Sequence, residues 1–181
     1  MRIFISGGCK NGKSYYAQHL AKAQQTSSLY YIATMKSVDG EDDERIVRHR
    51  RERDGWGFET IEQPCDIENI LSKCDCGGSF LLDSATALLA GEMFSDRGVN
   101  EGAALKIIDG LGQIMDKIKN IVIVSDYIYS DAFIYDELTE KYRKSLAEID
   151  RAAAGGCEAV LEVAYTNVIF HKGREAYDKV F

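Results

Sequence analysis

Apolar and polar positions along the chain fall into blocks that alternate between strand and helix periods. Residues 1–6 (MRIFIS) are an apolar run of strand length, and Ser14–Gln25 carries Tyr16, Leu20 and Ala23 on one helical face. Thr26-Ser27-Ser28 breaks that helix, and Leu29–Ala33 (LYYIA) is a second short apolar run suited to a parallel strand. Residues 40–54 place Glu41, Asp42, Asp43 and Glu44 ahead of Arg45, Arg48, Arg50, Arg51 and Arg53, the order that complements a helix macrodipole, with Asp54-Gly55 as the stop. Trp56–Ile61 alternates as a strand or an extended connection. After Pro64, Ile67–Ser72 is patterned as a helix, Gly77-Gly78 as a turn, and Ser79–Asp83 (SFLLD) as an apolar strand ending in a carboxylate. Ala85–Phe94 predicts a helix, Ser95–Gly98 a polar loop, and 103–118 an amphipathic helix through Leu105, Ile108, Leu111, Ile114, Met115 and Ile118. Ile121–Val124 is the clearest strand pattern, closed by Ser125-Asp126. Residues 127–134 read as an aromatic-bearing loop and 135–154 as a long charged helix stopped by Gly155-Gly156. Residues 159–163 and 168–170 read as a terminal hairpin or two edge strands. This alternation predicts an α/β fold, a mostly parallel sheet with helices on both faces.

The first strand runs into Gly7-Gly8-Cys9-Lys10-Asn11-Gly12-Lys13-Ser14, the G-x-x-x-x-G-K-S phosphate-binding pattern. Strand before and helix after are the context the pattern requires, so the fold expected is P-loop NTPase-like. Backbone N–H groups of such a loop cradle phosphates at a helix N-terminus, Lys13 reaches the outer phosphates, and the Ser14 hydroxyl ligates Mg²⁺. Two readings stand for Asp83 at the end of its strand: a partner of Mg²⁺, or the cap of the next helix. Thr34 ends the second strand, where α/β folds place ligand-binding groups, and Asp126 is a further strand-end carboxylate. His49 shares a helix face with Arg45 and Arg53, whose charges favour a neutral, nucleophilic imidazole. From the residues alone the solvated surface histidine is the more common case.

Composition narrows the classes. At 181 residues the chain is expected to form one domain, 1–181, and the formal net charge of −7 disfavours a general nucleic-acid surface. No apolar run approaches the ~20 residues of a membrane span. The N-terminus lacks a signal-peptide layout, so the cytoplasm is the expected compartment. Cys9, Cys65, Cys74, Cys76 and Cys157 are not spaced as a disulfide framework, and Cys74-Asp75-Cys76 lacks two further zinc ligands at useful spacing.

Several stretches together resemble the bifunctional adenosylcobinamide kinase / adenosylcobinamide-phosphate guanylyltransferase family of cobalamin biosynthesis. They are, in order, Ile5-Ser6-Gly7-Gly8 with Gly12-Lys13-Ser14; Tyr31-Ile32-Ala33-Thr34; Asp42-Asp43-Glu44-Arg45-Ile46 with Arg48-His49-Arg50 and Arg53; Trp56 and Glu59-Thr60; and Leu81-Leu82-Asp83-Ser84 with Thr86. The likeness is dense over the first half of the chain and thinner beyond it. It implies two reactions: transfer of a γ-phosphate from a nucleoside triphosphate to the aminopropanol hydroxyl of adenosylcobinamide, and transfer of GMP from GTP to the resulting phosphate through a guanylylated histidine. On the matching positions it implies His49 and Lys13 as catalytic. It implies Gly7, Gly8, Cys9, Lys10, Asn11, Gly12, Lys13, Ser14, Thr34, Arg53 and Glu62 as nucleotide-binding, and Ser14 with Asp83 as the Mg²⁺ pair. GTP and/or ATP are the implied nucleotides, a corrinoid the other substrate, and a homo-oligomer the assembly. The sequence departs from the family at Cys9-Lys10-Asn11 inside the loop, at Gly91 where an Asn is expected, and at Asp126-Tyr127-Ile128-Tyr129 where the family has Asn-Glu-Val-Gly. A P-loop kinase of another small alcohol, or a nucleotide-binding regulator without turnover, are the alternatives.

Overall fold

The computed structural model describes residues 1–36, 40, 47, 50, 51, 53–95, 98–165 and 167–181. Segment 40–54 therefore lies largely outside the described residues, and His49 with it. Strand β1 (Arg2–Gly7) leads through the loop into helix α1 (Lys13–Ala23); β2 (Leu29–Ala33) and β3 (Glu59–Glu62) follow. A 3₁₀ turn (Ile67–Ser72) precedes β4 (Ser79–Asp83) and α2 (Ala85–Met93). A small antiparallel ribbon, β5 (Phe94–Ser95) with β6 (Gly98–Val99), stands where the sequence predicts only a polar loop. Then come α3 (Ala103–Lys117), β7 (Asn120–Asp126), α4 (Glu137–Gly156), β8 (Ala159–Ala164), β9 (Asn167–Lys172) and a last turn, α5 (Arg174–Tyr177).

Among the described residues, seven strands form one sheet in the order β3-β2-β4-β7-β1-β8-β9, parallel throughout except for β9. The expected parallel α/β sheet is therefore present, and of the two readings of the last strands the hairpin holds: β8 pairs antiparallel with β9 and lies between it and β1, so β8 is not an edge strand. Alternation splits the strands between two cores. Phe4, Ile32, Phe80, Leu82, Ile121 and Ile123 face α2, α3 and α4, while Ile3, Ile5, Tyr31, Leu81, Val122, Val124 and Leu161 face α1. At roughly 25 cal/mol per Å² of buried apolar surface, these two faces supply the main stabilisation of the sheet.

Helix α4 begins two residues later than the pattern suggests because Asp136 is its cap, its Oδ1 accepting from Thr139 N at 3.0 Å. It also continues through Gly155-Gly156 and ends at Cys157, whose extended backbone turns into β8. Register sets the functional edge. Ala33 pairs with Asp83, Asp83 with Val124, and Gly7 with Asp126, so the P-loop and both strand-end carboxylates meet at the carboxyl ends of β1, β7 and β4.

Candidate active site

The loop after β1 takes its shape from a few residues. Gly12 sits at φ 88 and Lys10 at φ 55, the left-handed region that turns successive N–H groups to one side. A Cβ at Gly7 would fall 2.5 Å from Val163 O and 2.3 Å from Asn11 Nδ2, so only glycine fits. Asn11 explains that crowding. Its Nδ2 donates to Val163 O at the end of β8, and its Oδ1 accepts from Lys13 N at 3.1 Å. The atypical loop interior is thus a brace between the P-loop and the neighbouring strand. Lys13 opens α1 but points back: Nζ donates to Gly8 O at 3.0 Å and to Asp126 Oδ1 at 2.5 Å, with the lysine only 6% exposed. Thr86 Oγ1 holds the other side of this contact by accepting from Asp126 N at 2.8 Å.

The two readings of Asp83 separate. Ser84 is the cap of α2, its Oγ accepting from Ala87 N at 3.2 Å, so the capping role does not fall to Asp83. Asp83 Oδ2 instead accepts from Tyr31 OH at 2.7 Å, and its carboxylate borders the same cleft as Ser14. Over the Tyr31 ring lies the Arg53 guanidinium, its carbon 3.5 Å from the ring centroid and the residue buried. This cation–π contact fixes Arg53 toward the cleft. The turn carrying it is pinned from α1, where His19 meets Trp56 at 4.6 Å and Tyr15 at 4.4 Å between ring centroids.

The cleft has a volume of about 1080 Å³. It brings together Cys9, Lys10, Asn11, Gly12, Lys13, Ser14, Arg53, Glu62 and Asp83 of the expected set, and adds Arg50, Asp126 and Tyr15. Glu62 is ion-paired with Arg50 across its mouth. Gly7 and Gly8 form the back of the loop rather than the cleft wall. Thr34 is not brought to the cleft: it is fully buried, and its hydroxyl donates to Ser84 O and accepts from Ser84 N, both at 2.7 Å. It positions the Asp83–Ser84 corner. His49 lies outside the described residues. Ser14 and Asp83 offer one hydroxyl and one carboxylate, hard oxygen donors that suit Mg²⁺ completed by phosphate and water. Among the described residues no group of three or more His, Cys, Asp or Glu side chains converges as a metal site.

The sequence of the chain carries the match that this geometry suggests. A family model described as cobinamide kinase / cobinamide phosphate guanyltransferase matches residues 3–167. The chain belongs to this family. The bifunctional adenosylcobalamin biosynthesis protein CobP of Pseudomonas aeruginosa is 30% identical over 162 residues, covering 88% of this chain and 91% of that protein. The chain is accordingly a transferase of cobalamin biosynthesis, of the adenosylcobinamide kinase and guanylyltransferase type. Among solved structures, a KaiC-like protein of Pyrococcus horikoshii superposes with a TM-score of 0.49 at 11% identity, covering 96% of this chain and 79% of its own. The flagellar accessory protein FlaH of Methanocaldococcus jannaschii gives 0.47 at 13%, with the same coverages of 96% and 79%.

The departures from the family pattern have local reasons. Gly91 packs against Pro64, and a Cβ there would lie 2.3 Å from the Pro64 carbonyl oxygen. Asp126, in place of Asn, is the counter-ion of Lys13. Sequence reasoning missed the Tyr31–Arg53 stack and the Lys13–Asp126 pair. The first has no sequence signature. The second was signalled by a carboxylate at the end of the strongest strand pattern. No helix among the described residues is long and apolar enough to cross a membrane.

Proposed function

We propose that this family member performs both transfers at the one cleft, within a single nucleotide-binding unit spanning the chain. The observation that carries the reading is the convergence of Lys13, Ser14 and Asp83 with the Arg50–Arg53 wall around one opening. A nucleoside triphosphate, GTP or ATP, lies with its phosphates along the N–H groups of residues 9–14 and the positive end of α1. Lys13 takes the outer phosphates. Ser14 Oγ and the Asp83 carboxylate would hold Mg²⁺, which neutralises charge on those oxygens. Arg53, held on Tyr31, offsets charge building on the phosphates, and Glu62 lines the same cleft for the nucleotide. The corrinoid hydroxyl attacks the γ-phosphorus in the first reaction. In the second, a neutral imidazole of His49 attacks the α-phosphorus of GTP, pyrophosphate leaves, and the corrinoid phosphate collects GMP from the histidine.

Five cysteines without a disulfide among them suit a reducing compartment, in keeping with the cytoplasm. Association of copies of the chain, which the family resemblance implies, is read out by sedimentation velocity. The deciding experiment for the mechanism is mass spectrometry of the intact protein after incubation with GTP and Mg²⁺. The expected result is a single GMP adduct that maps to His49 and disappears in His49→Ala. Absence of an adduct on wild-type protein that demonstrably binds GTP would remove the histidine route.

A further inference from the structure

We propose that Asp126 is the proton acceptor of the phosphoryl-transfer step. The proposal rests on the kinase reading above. Three carboxylates border the cleft among the described residues: Asp83, Asp126 and Glu62. Glu62 is exposed and paired with Arg50 at the mouth. Asp83 accepts from Tyr31 and faces the cation position with Ser14. Asp126 alone touches the P-loop lysine, with Oδ1 2.5 Å from Lys13 Nζ. It is held from behind by Thr86 Oγ1 on its backbone N–H, at 2.8 Å, and lies on β7 between the P-loop strand and the Asp83 strand.

Reach supports the assignment. A hydroxyl poised for attack stands about 3–3.5 Å from the phosphorus. The group that takes its proton stands about 2.6–3.2 Å from that oxygen. An acceptor therefore lies within roughly 6 Å of the γ-phosphorus. In the nucleotide-free protein Lys13 Nζ lies 2.5 Å from Asp126 Oδ1, so an ammonium that shifts onto the outer phosphates leaves the carboxylate beside them, within that shell.

The step balances without a further reactant. The acceptor hydroxyl oxygen forms a bond to the γ-phosphorus, and the bond to the β,γ-bridging oxygen breaks with its electron pair leaving on the nucleoside diphosphate. The hydroxyl proton passes to the Asp126 carboxylate, which releases it to solvent after the product departs. Seating of the triphosphate draws Lys13 onto phosphate oxygens and turns its former partner into a base. An Asn, which the family pattern has here, offers an amide that takes no proton, so this base belongs to the present chain and members that carry Asn pass the proton to another group. GMP transfer to a neutral imidazole removes no proton from its nucleophile, so it makes no such demand on residue 126.

The test uses Asp126→Asn and Asp126→Ala in the full chain, with adenosylcobinamide and a saturating nucleoside triphosphate in single turnover. Nucleotide Kd is measured in parallel by calorimetry. The expected result for Asp126→Asn is a phosphoryl-transfer rate lower by about 10²–10⁴-fold, with nucleotide binding as tight as in wild type or tighter. Formate restores part of the rate to Asp126→Ala and none to Lys13→Ala. An unchanged transfer rate in Asp126→Asn overturns the proposal. So does a rate loss that follows a matching loss of nucleotide affinity, since that marks a role in loop structure alone. If wild-type protein phosphorylates no corrinoid, the kinase reading fails instead, and the two failures are thereby told apart.

Discussion

Asp150 on α4 is 4% exposed and sits beneath the end of β7, where Tyr129 OH donates to its Oδ2 at 3.0 Å. Its Oδ1 has no hydrogen-bond partner among the described residues. Burial pushes this carboxyl up from 3.8 to about 6, against the pull of hydrogen bonds from Ser125 and Tyr129 and with a small push from Asp126. A carboxyl raised in the folded state binds more protons there than in the unfolded chain, so its contribution favours folding below pH 3.8 and is lost as pH rises through about 6. At 1.36 kcal/mol per unit, the full swing is about 3 kcal/mol. Asp150→Asn removes the titration while keeping shape. The two proteins are unfolded in urea at pH 4 and pH 7.5, and the stability of the variant relative to wild type is compared. Constant terms, including any misfit of the amide NH₂, cancel in that comparison. The variant is expected to gain about 2.4 kcal/mol on wild type between the two pH values, since the unfolded-state carboxyl is already partly ionised at pH 4, or about 5–10 °C in relative Tm for a chain of this size. A difference independent of pH would show that Asp150 does not carry a raised pKa and that the cluster under β7 is better solvated than its burial implies.

Three further outcomes follow from named contacts. Gly91→Asn, which installs the residue the family pattern has, forces a side chain onto the Pro64 carbonyl and should destabilise by about 1–3 kcal/mol in urea unfolding. Thr34→Val keeps volume but strips both partners from the Ser84 backbone, and should cost roughly 2–4 kcal/mol and weaken the Mg²⁺ dependence of turnover by loosening the Asp83 corner. A nucleoside monophosphate does not reach Lys13, so Asp126→Asn should widen the affinity gap between triphosphate and monophosphate, by about 5–150-fold if the pair is worth 1–3 kcal/mol; calorimetric Kd values for both ligands check this.

What could be read in advance was what lies close together along the chain. The P-loop, its strand and its helix occupy residues 2–23, and their glycines, lysine and serine announce their own geometry. Asp83 was legible because an apolar run ends in it. Whether it caps the next helix was not, since Ser84 competes for the same cap and only the hydrogen bond from Ala87 N decides. Thr34 shows the limit of the strand-end rule, which gives position without direction: its hydroxyl turns inward to Ser84. The hairpin of β8 with β9 was legible, but the insertion of β8 beside β1 was not, for a topological reason. Its buried and half-buried positions alternate as an edge strand's would, while its partner β1 lies more than 150 residues earlier. Local periodicity carries no record of so distant a parallel register.

The cleft also shows why its cations need partners before any substrate arrives. An ammonium as buried as Lys13 would cost several kcal/mol if left unpaired. Asp126 offsets that cost in the nucleotide-free protein, as Glu62 does for Arg50 at the more exposed mouth. Arg53 rests on the π-face of Tyr31, whose hydroxyl is committed to Asp83. The three arrangements differ in what phosphate binding must undo. At Arg50 an exposed pair is exchanged for another at little net change. At Arg53 the stack on Tyr31 can persist while guanidinium N–H groups turn to a phosphate. At Lys13 a buried pair must open, and opening it is what exposes a carboxylate beside the γ-phosphate. Binding and the appearance of the base are then one event, so the carboxylate becomes available only when a phosphoryl donor is in place.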